Sequence, residues 1–134
     1  MTTPHRIVNV PGLPPPRGYS DAVVAAPGRL VHIAGQVAQD AKGNIQGTTF
    51  SEQFDLAAAN VVQALRAAGG LPEHLVSMTA YVTDRDAYLA ARSQLAVVWQ
   101  SHFDNHYPAF AVIGTTGLID PRAMVELVAV AVVP

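Results

Sequence analysis

Residues 124–133 read MVELVAVAVV, an apolar run interrupted only by Glu126. Its length and its valines make it a β-strand. A strand with one wet face alternates apolar and polar side chains, and this one is apolar on both faces. The sheet that holds it must therefore be covered twice.

Working outward, Ala109–Gly114 is a second apolar strand, launched by Pro108 and followed by the small polar loop GTTG at 114–117. LVSMTAYVT at 75–83 is another strand. Two segments carry the helical period instead. Phe54, Ala58, Val61, Leu65 and Ala68 recur at helical spacing after Thr49, and Gly69-Gly70 stops that helix. Asp84 or Thr83 caps a second helix running to about His102, with Tyr88, Ala91, Leu95, Val98 and Trp99 on its apolar side. Toward the N-terminus, His5–Val10 reads as a short edge strand. The proline-rich PGLPPPRG forms an ordered rim segment, and Asp21–Ala26 with Arg29–Gly35 reads as a hairpin turned at Pro27-Gly28. The order is β-β-β-α-β-α-β-β, an α+β fold with a mixed sheet and two helices on one face. Two helices cover one face of such a sheet. The other is covered by a second copy of the chain or by the N-terminal segment curling over it.

The chain has 134 residues, which makes residues 1–134 a single domain. Ten acids stand against eight bases, giving a net charge of −2 with the bases scattered singly. No basic stripe is present to follow a phosphate backbone, so nucleic acid is an unsuitable partner. There is no cysteine, which excludes thiolate nucleophiles and cysteine-held zinc. No signal peptide and no membrane-length apolar run is visible, and a cytoplasmic location follows.

Candidate chemistry is sparse. His102, Asp104 and His106 in HFDNH have metal-like spacing, but Asn105 and Pro108 end the helix there and splay the histidines apart. No metal is expected. His32 reads as a core or interface histidine, and His5 and His74 have no sequence neighbours that suggest a role. Ser20, Ser77, Ser93 and Ser101 lack a nucleophile elbow. Gly114 and Thr115 begin a loop that either holds a carboxylate or water through small donors or is a plain turn. Glu126, the one acid in an apolar strand, is a candidate on electrostatic grounds if it is buried.

Taken together, GYSDAVVA, RLVHIAGQVAQDAKGNIQG, LRAAGG, VSMTAYVTD, YPAFAVIG and VELVAVAV resemble the Rid family, also called YjgF-like or reactive intermediate deaminase proteins, over almost the whole chain. The resemblance implies a chorismate-mutase-like fold and a homotrimer with small-molecule pockets between subunits. It also implies cofactor-free hydrolysis of enamines and imines to ketoacids and ammonia. The family's arginine, which clamps the substrate carboxylate, falls here on Phe110. Its small hydroxyl residue falls on Ala34, before Gly35 and Gln36, and its cysteine on Val112. Of its Glu-x-Glu pair the first matches Glu126 and the second falls on Val128. The pocket tyrosine is kept as Tyr19. These departures imply a subgroup without the arginine. Two readings stay open: a divergent imine or enamine hydrolase in which Tyr19, Thr115, Glu126 and backbone donors at Gly35 and Gly114 orient water, or a non-catalytic metabolite-binding trimer. Arg92, on the second helix, is the candidate for a displaced positive charge.

Overall fold

The computed structural model describes residues 2–134. Its elements are β1 (Arg6–Val8), β2 (Ala22–Val24), β3 (Arg29–Gln36), α1 (Phe50–Ala67), β4 (Leu75–Val82), α2 (Arg85–Phe103), β5 (Ala109–Gly114) and β6 (Val125–Val133), with one 3-10 turn at Pro72–His74. This is the order expected from the sequence.

Each helix begins where a side chain satisfies its free amides. The Thr49 side chain accepts from the Glu52 amide at 3.2 Å, while the Glu52 carboxylate accepts from the Thr48 amide at 2.9 Å. That second bond holds the Glu52 carboxyl below its ordinary pKa. At the far end Gly69 takes φ +88°, and the Gly70 amide closes on the Leu65 carbonyl at 2.9 Å. This left-handed step is what ends α1, and it favours glycine. Asp84 caps α2 by accepting from the Ala87 amide at 3.0 Å.

Four strands form the main sheet in the order β3-β6-β4-β5. β6 lies antiparallel to β3 and β4, whereas β4 and β5 run parallel, joined through α2. Along each strand alternate residues turn toward the helices. Ile33, Met78, Ala80, Val82, Leu127 and Ala129 meet Phe54, Val61 and Leu65 of α1 and Leu95, Trp99 and Phe103 of α2. The opposite residues, including Leu30, Val128 and Ile113, form an open face on which these three side chains are 61%, 36% and 46% exposed.

One expectation is corrected. β2 does not form a hairpin with β3. It pairs antiparallel with β1 in a separate two-stranded ribbon, Arg6 opposite Val24. Pro27-Gly28 makes the bend, but the chain changes sheets there instead of folding back. His5 holds the ribbon in place: its Nδ1 accepts from the Ala26 amide at 3.0 Å, and its Nε2 donates to the His74 carbonyl at 3.0 Å. The two histidines without sequence neighbours thus meet across the fold. The ribbon leaves Leu30, Val128 and Ile113 uncovered, so the N-terminal segment does not close the open face at these positions.

Buried Gln53 ties the layers together. Its amide nitrogen donates to the Gly47 carbonyl at 3.2 Å and the Arg122 carbonyl at 3.0 Å, and its oxygen accepts from the Met124 amide at 2.8 Å. The start of α1 is thereby fixed to the start of β6.

Candidate functional site

The helix-facing side of β5 carries Phe110 and Val112, and α2 crosses beside it. Between them lies a cleft of about 560 Å³, within the range of small-molecule sites. Its floor is aromatic. Trp99 packs on Phe110 with ring centroids 5.1 Å apart and lies nearly parallel to Tyr107, 5.9 Å apart at 7°. The Trp99 indole is aimed by its own hydrogen bond, Nε1 donating to the His106 carbonyl at 3.0 Å. Phe54 and Tyr88 extend the apolar lining, with Phe50 edge-on to Tyr88 at 6.0 Å.

The N-terminal segment supplies the remaining wall. Ser20 donates from its amide to the Pro108 carbonyl at 3.1 Å and from its hydroxyl to the Tyr107 carbonyl at 2.5 Å. These two bonds pin the chain to the start of β5 and bring Arg17, Gly18 and Tyr19 to the cleft. From α2, Tyr88, Arg92, Leu95, Ala96 and Trp99 line it along one stripe. Small Ala96 leaves room between the larger side chains.

The sequence candidates therefore separate. Tyr19, Arg92, Phe110 and Val112 line this one cleft. Ala34, Gly35 and Glu126 gather elsewhere, at the irregular step in the β3–β6 pairing between Ile33 and Gln36. There Glu126 lies so close over Gly35 that a Cβ on that residue would stand 2.8 Å from its Cδ. A side chain at position 35 would make the Glu126 side chain swing away. The Glu126 side chain belongs to the open face. Gly114 and Thr115 stand in neither group: the Thr115 amide donates to the Val82 carbonyl of β4 at 2.9 Å and its hydroxyl to the Gly117 carbonyl at 3.3 Å, so the turn is held by the sheet and by its own backbone.

The histidines take structural roles. His102 pairs with Asp55 of α1 at 2.5 Å. His106 is buried and donates from Nε2 to the Leu75 carbonyl at 2.8 Å, and burial pushes its pKa below the usual histidine value. The two point to different partners, as the break after α2 requires. No cluster of metal-ligating residues occurs among the described residues. His32 is exposed on the open face, not in a core.

By period Tyr88, Leu95 and Trp99 read as the apolar side of the second helix and the segment around Arg17 as a rim; in the fold the same side chains wall a cleft. The available signal was the stripe on α2, where Arg92 interrupts an otherwise apolar face.

An open-faced sheet backed by two helices, with an aromatic cleft at the strand that edges it, defines a chorismate-mutase-like α+β domain. The model of the family described as "Endoribonuclease L-PSP" matches residues 12–133, and the chain belongs to that family, the Rid/YjgF proteins. A Rid-family protein of unknown function from Yersinia pestis, YyfB, is 34% identical over 96% of this chain and 98% of its own, with a TM-score of 0.85. A YjgF/YER057c/UK114 family member from Mycobacterium tuberculosis is 29% identical over 87% of each chain, with a TM-score of 0.64. RidA from an Antarctic Psychrobacter is 25% identical over 86% of this chain and 88% of its own, with a TM-score of 0.68. Among curated proteins no relative matches the chain significantly. No helix among the described residues is long and apolar enough to cross a membrane.

Proposed function

We propose that the protein is a homotrimer that binds small metabolites in clefts completed at the subunit interfaces and hydrolyses imines or enamines with apolar or aromatic bodies. The observation that carries this reading is the aromatic cleft beside the edge strand β5, with Phe110 where relatives of the Rid type place a carboxylate clamp. The uncovered open face supports the assembly, because a second copy is the simplest cover for exposed Leu30, Val128 and Ile113. A copy docked across that face and around the β5 edge brings its own Gly35 and Glu126 toward the mouth of the cleft.

The chemistry asks little. Water adds through oxygen to the imine carbon, the nitrogen takes up protons, and the carbon–nitrogen bond breaks to give a carbonyl compound and ammonia. Glu126 and the backbone donors near Gly35 from a neighbouring copy orient the water, and Tyr19 lies at the substrate. Neither cofactor nor metal is required. The net charge of −2 argues against ribonucleic acid as substrate, despite the family's description.

The test generates imines in place with an amino-acid oxidase, in the presence of semicarbazide, over charged, aliphatic and aromatic amino acids. Slowed semicarbazone formation with leucine or phenylalanine imines is the expected result. No effect with any of them, from a confirmed trimer, ends the hydrolase reading. A second reading has its own support: no carboxylate lines the cleft in a single chain. On that reading the trimer binds a metabolite without turnover, as ligand binding with silence in the same assay would reveal.

A further inference from the structure

Three histidines converge on the turn that leads into β4. Its successive carbonyls, those of Glu73, His74 and Leu75, accept from the Thr3 hydroxyl at 2.7 Å, His5 Nε2 at 3.0 Å and His106 Nε2 at 2.8 Å. His74 closes the turn from within, its Nδ1 accepting from the Leu71 amide at 3.0 Å. His5 Nδ1 accepts from the Ala26 amide at 3.0 Å. An amide only donates and a carbonyl only accepts, so the His5 ring is neutral with its proton on Nε2. A protonated His5 has no lone pair left for Ala26, and a protonated His74 has none for Leu71. His5 and His106 are buried at 6% and 5% exposure, and every partner named lies within one chain.

The same residues carry two sides of the cleft. The carbonyls of His106, Tyr107 and Pro108 accept in turn from Trp99 Nε1, the Ser20 hydroxyl and the Ser20 amide. His106 thus aims the aromatic floor through its backbone, while its ring ties that backbone to the turn. His5 fastens the far end of the N-terminal segment whose Arg17, Gly18 and Tyr19 wall the cleft.

We propose that His5 and His106 are positioning residues of the cleft, and that proton uptake on them releases its N-terminal wall and its aromatic floor together. Among the described residues the charges acting on His106 are those of His5, His74 and Glu73. Burial, the largest effect, opposes its protonation, as do the two histidines, while Glu73 favours it; the balance leaves the His106 pKa below the usual value. Acid therefore puts like charges into a buried cluster, and exposure to water relieves them. Wall and floor are set above about pH 6.5 and loosen as pH falls below it toward the lowered native value of His106. The device operates whether or not the cleft turns over its ligand.

The chain's one tryptophan, Trp99, reads this opening. It is 6% exposed, and acrylamide, a neutral quencher, reaches it more readily once the wall releases. The experiment measures the lifetime-corrected acrylamide quenching constant from about pH 8 to about pH 5, with sedimentation and urea unfolding at each pH. In the unaltered protein the constant should rise at least about threefold, reversibly, with fold and assembly intact. H5N/H106Q keeps an acceptor for Ala26 and a donor for Leu75 but takes up no proton at either position, so its constant should stay flat. H102Q removes the other histidine near Trp99 on α2 and should leave the rise unchanged. In the unaltered protein the NMR signals of the Ser20 and Ala26 amides should shift with the midpoint of the quenching curve, a readout that needs no variant. A constant unchanged down to about pH 5, a rise that H5N/H106Q retains or H102Q abolishes, a rise that tracks dissociation of the assembly, or amide midpoints apart from the quenching midpoint overturns the proposal. Silence in the imine assay leaves it standing, because no ligand enters the measurement.

Discussion

Replacing Gln53 by methionine keeps the side-chain volume and removes three hydrogen bonds at once. The Met124 amide sits between buried Ala123 and Val125 and loses its acceptor, at a cost of about 1–3 kcal/mol for a buried unsatisfied donor. The Gly47 and Arg122 carbonyls lose a shared donor, but Gly47 is half-buried and Arg122 exposed, so water replaces it at about 0.5 kcal/mol each. Burying a thioether in place of an amide returns about 1 kcal/mol. The net loss is about 2 kcal/mol, or a drop of roughly 6–10 °C in Tm for a chain of this size. The assay is thermal and urea unfolding at fixed protein concentration, with Gln63→Met as control. Gln63 is exposed on the same helix and should change stability by less than about 0.5 kcal/mol. If Gln53→Met and Gln63→Met unfold alike, the amide does not join α1 to β6 energetically and the account of the fold's closure is wrong.

Further outcomes follow from the site and its surroundings. Leu30→Glu places a charge on the open face where the side chain is 61% exposed in the single chain, so sedimentation should show monomer while the monomer's own stability changes by less than about 0.5 kcal/mol; an intact trimer would move the interface elsewhere. Phe110→Arg with Val128→Glu restores the clamp and the second acid of the Rid pattern. Any hydrolysis of small aliphatic imino acids should rise at least about tenfold in kcat/KM, and a folded trimer without gain would refute the residue mapping. Burial lowers the pKa of His106 in the folded chain, so the unfolded chain takes up the proton first as pH falls. The stability from neutral His106 is therefore fully present above about pH 6.5 and declines below it toward the lowered native value. His106→Gln, which can keep a donor to Leu75, should flatten that part of the profile in urea titrations at a series of pH values.

Much of this protein is written locally. The helices announce themselves by period and by their stops: Thr49 and Asp84 accept the first free amides, and Gly69 alone tolerates the backbone that ends α1. The strand 125–133 carries apolar side chains on both faces, so its sequence asks for cover on both; the helices bury one face, and Val128 on the other is 36% exposed. Family membership was legible because the short motifs from GYSDAVVA to VELVAVAV stand in order along almost the whole chain, and the family match over residues 12–133 bears this out. Strand partnership was not legible. Pro27-Gly28 specifies a bend but not which strand lies across from β2; β1 takes that place, and His5 beside it fastens the ribbon through its two ring nitrogens to Ala26 and His74. The candidate site divides the same way. Sequence named Phe110, Tyr19 and Arg92 separately, but only packing showed that Ser20 pins Tyr19 to β5 and that Trp99 lies under Tyr107 and Phe110. It also moved Glu126 to the opposite face of the sheet, because residues on neighbouring strands share a face by register, and register is settled between strands and not along one.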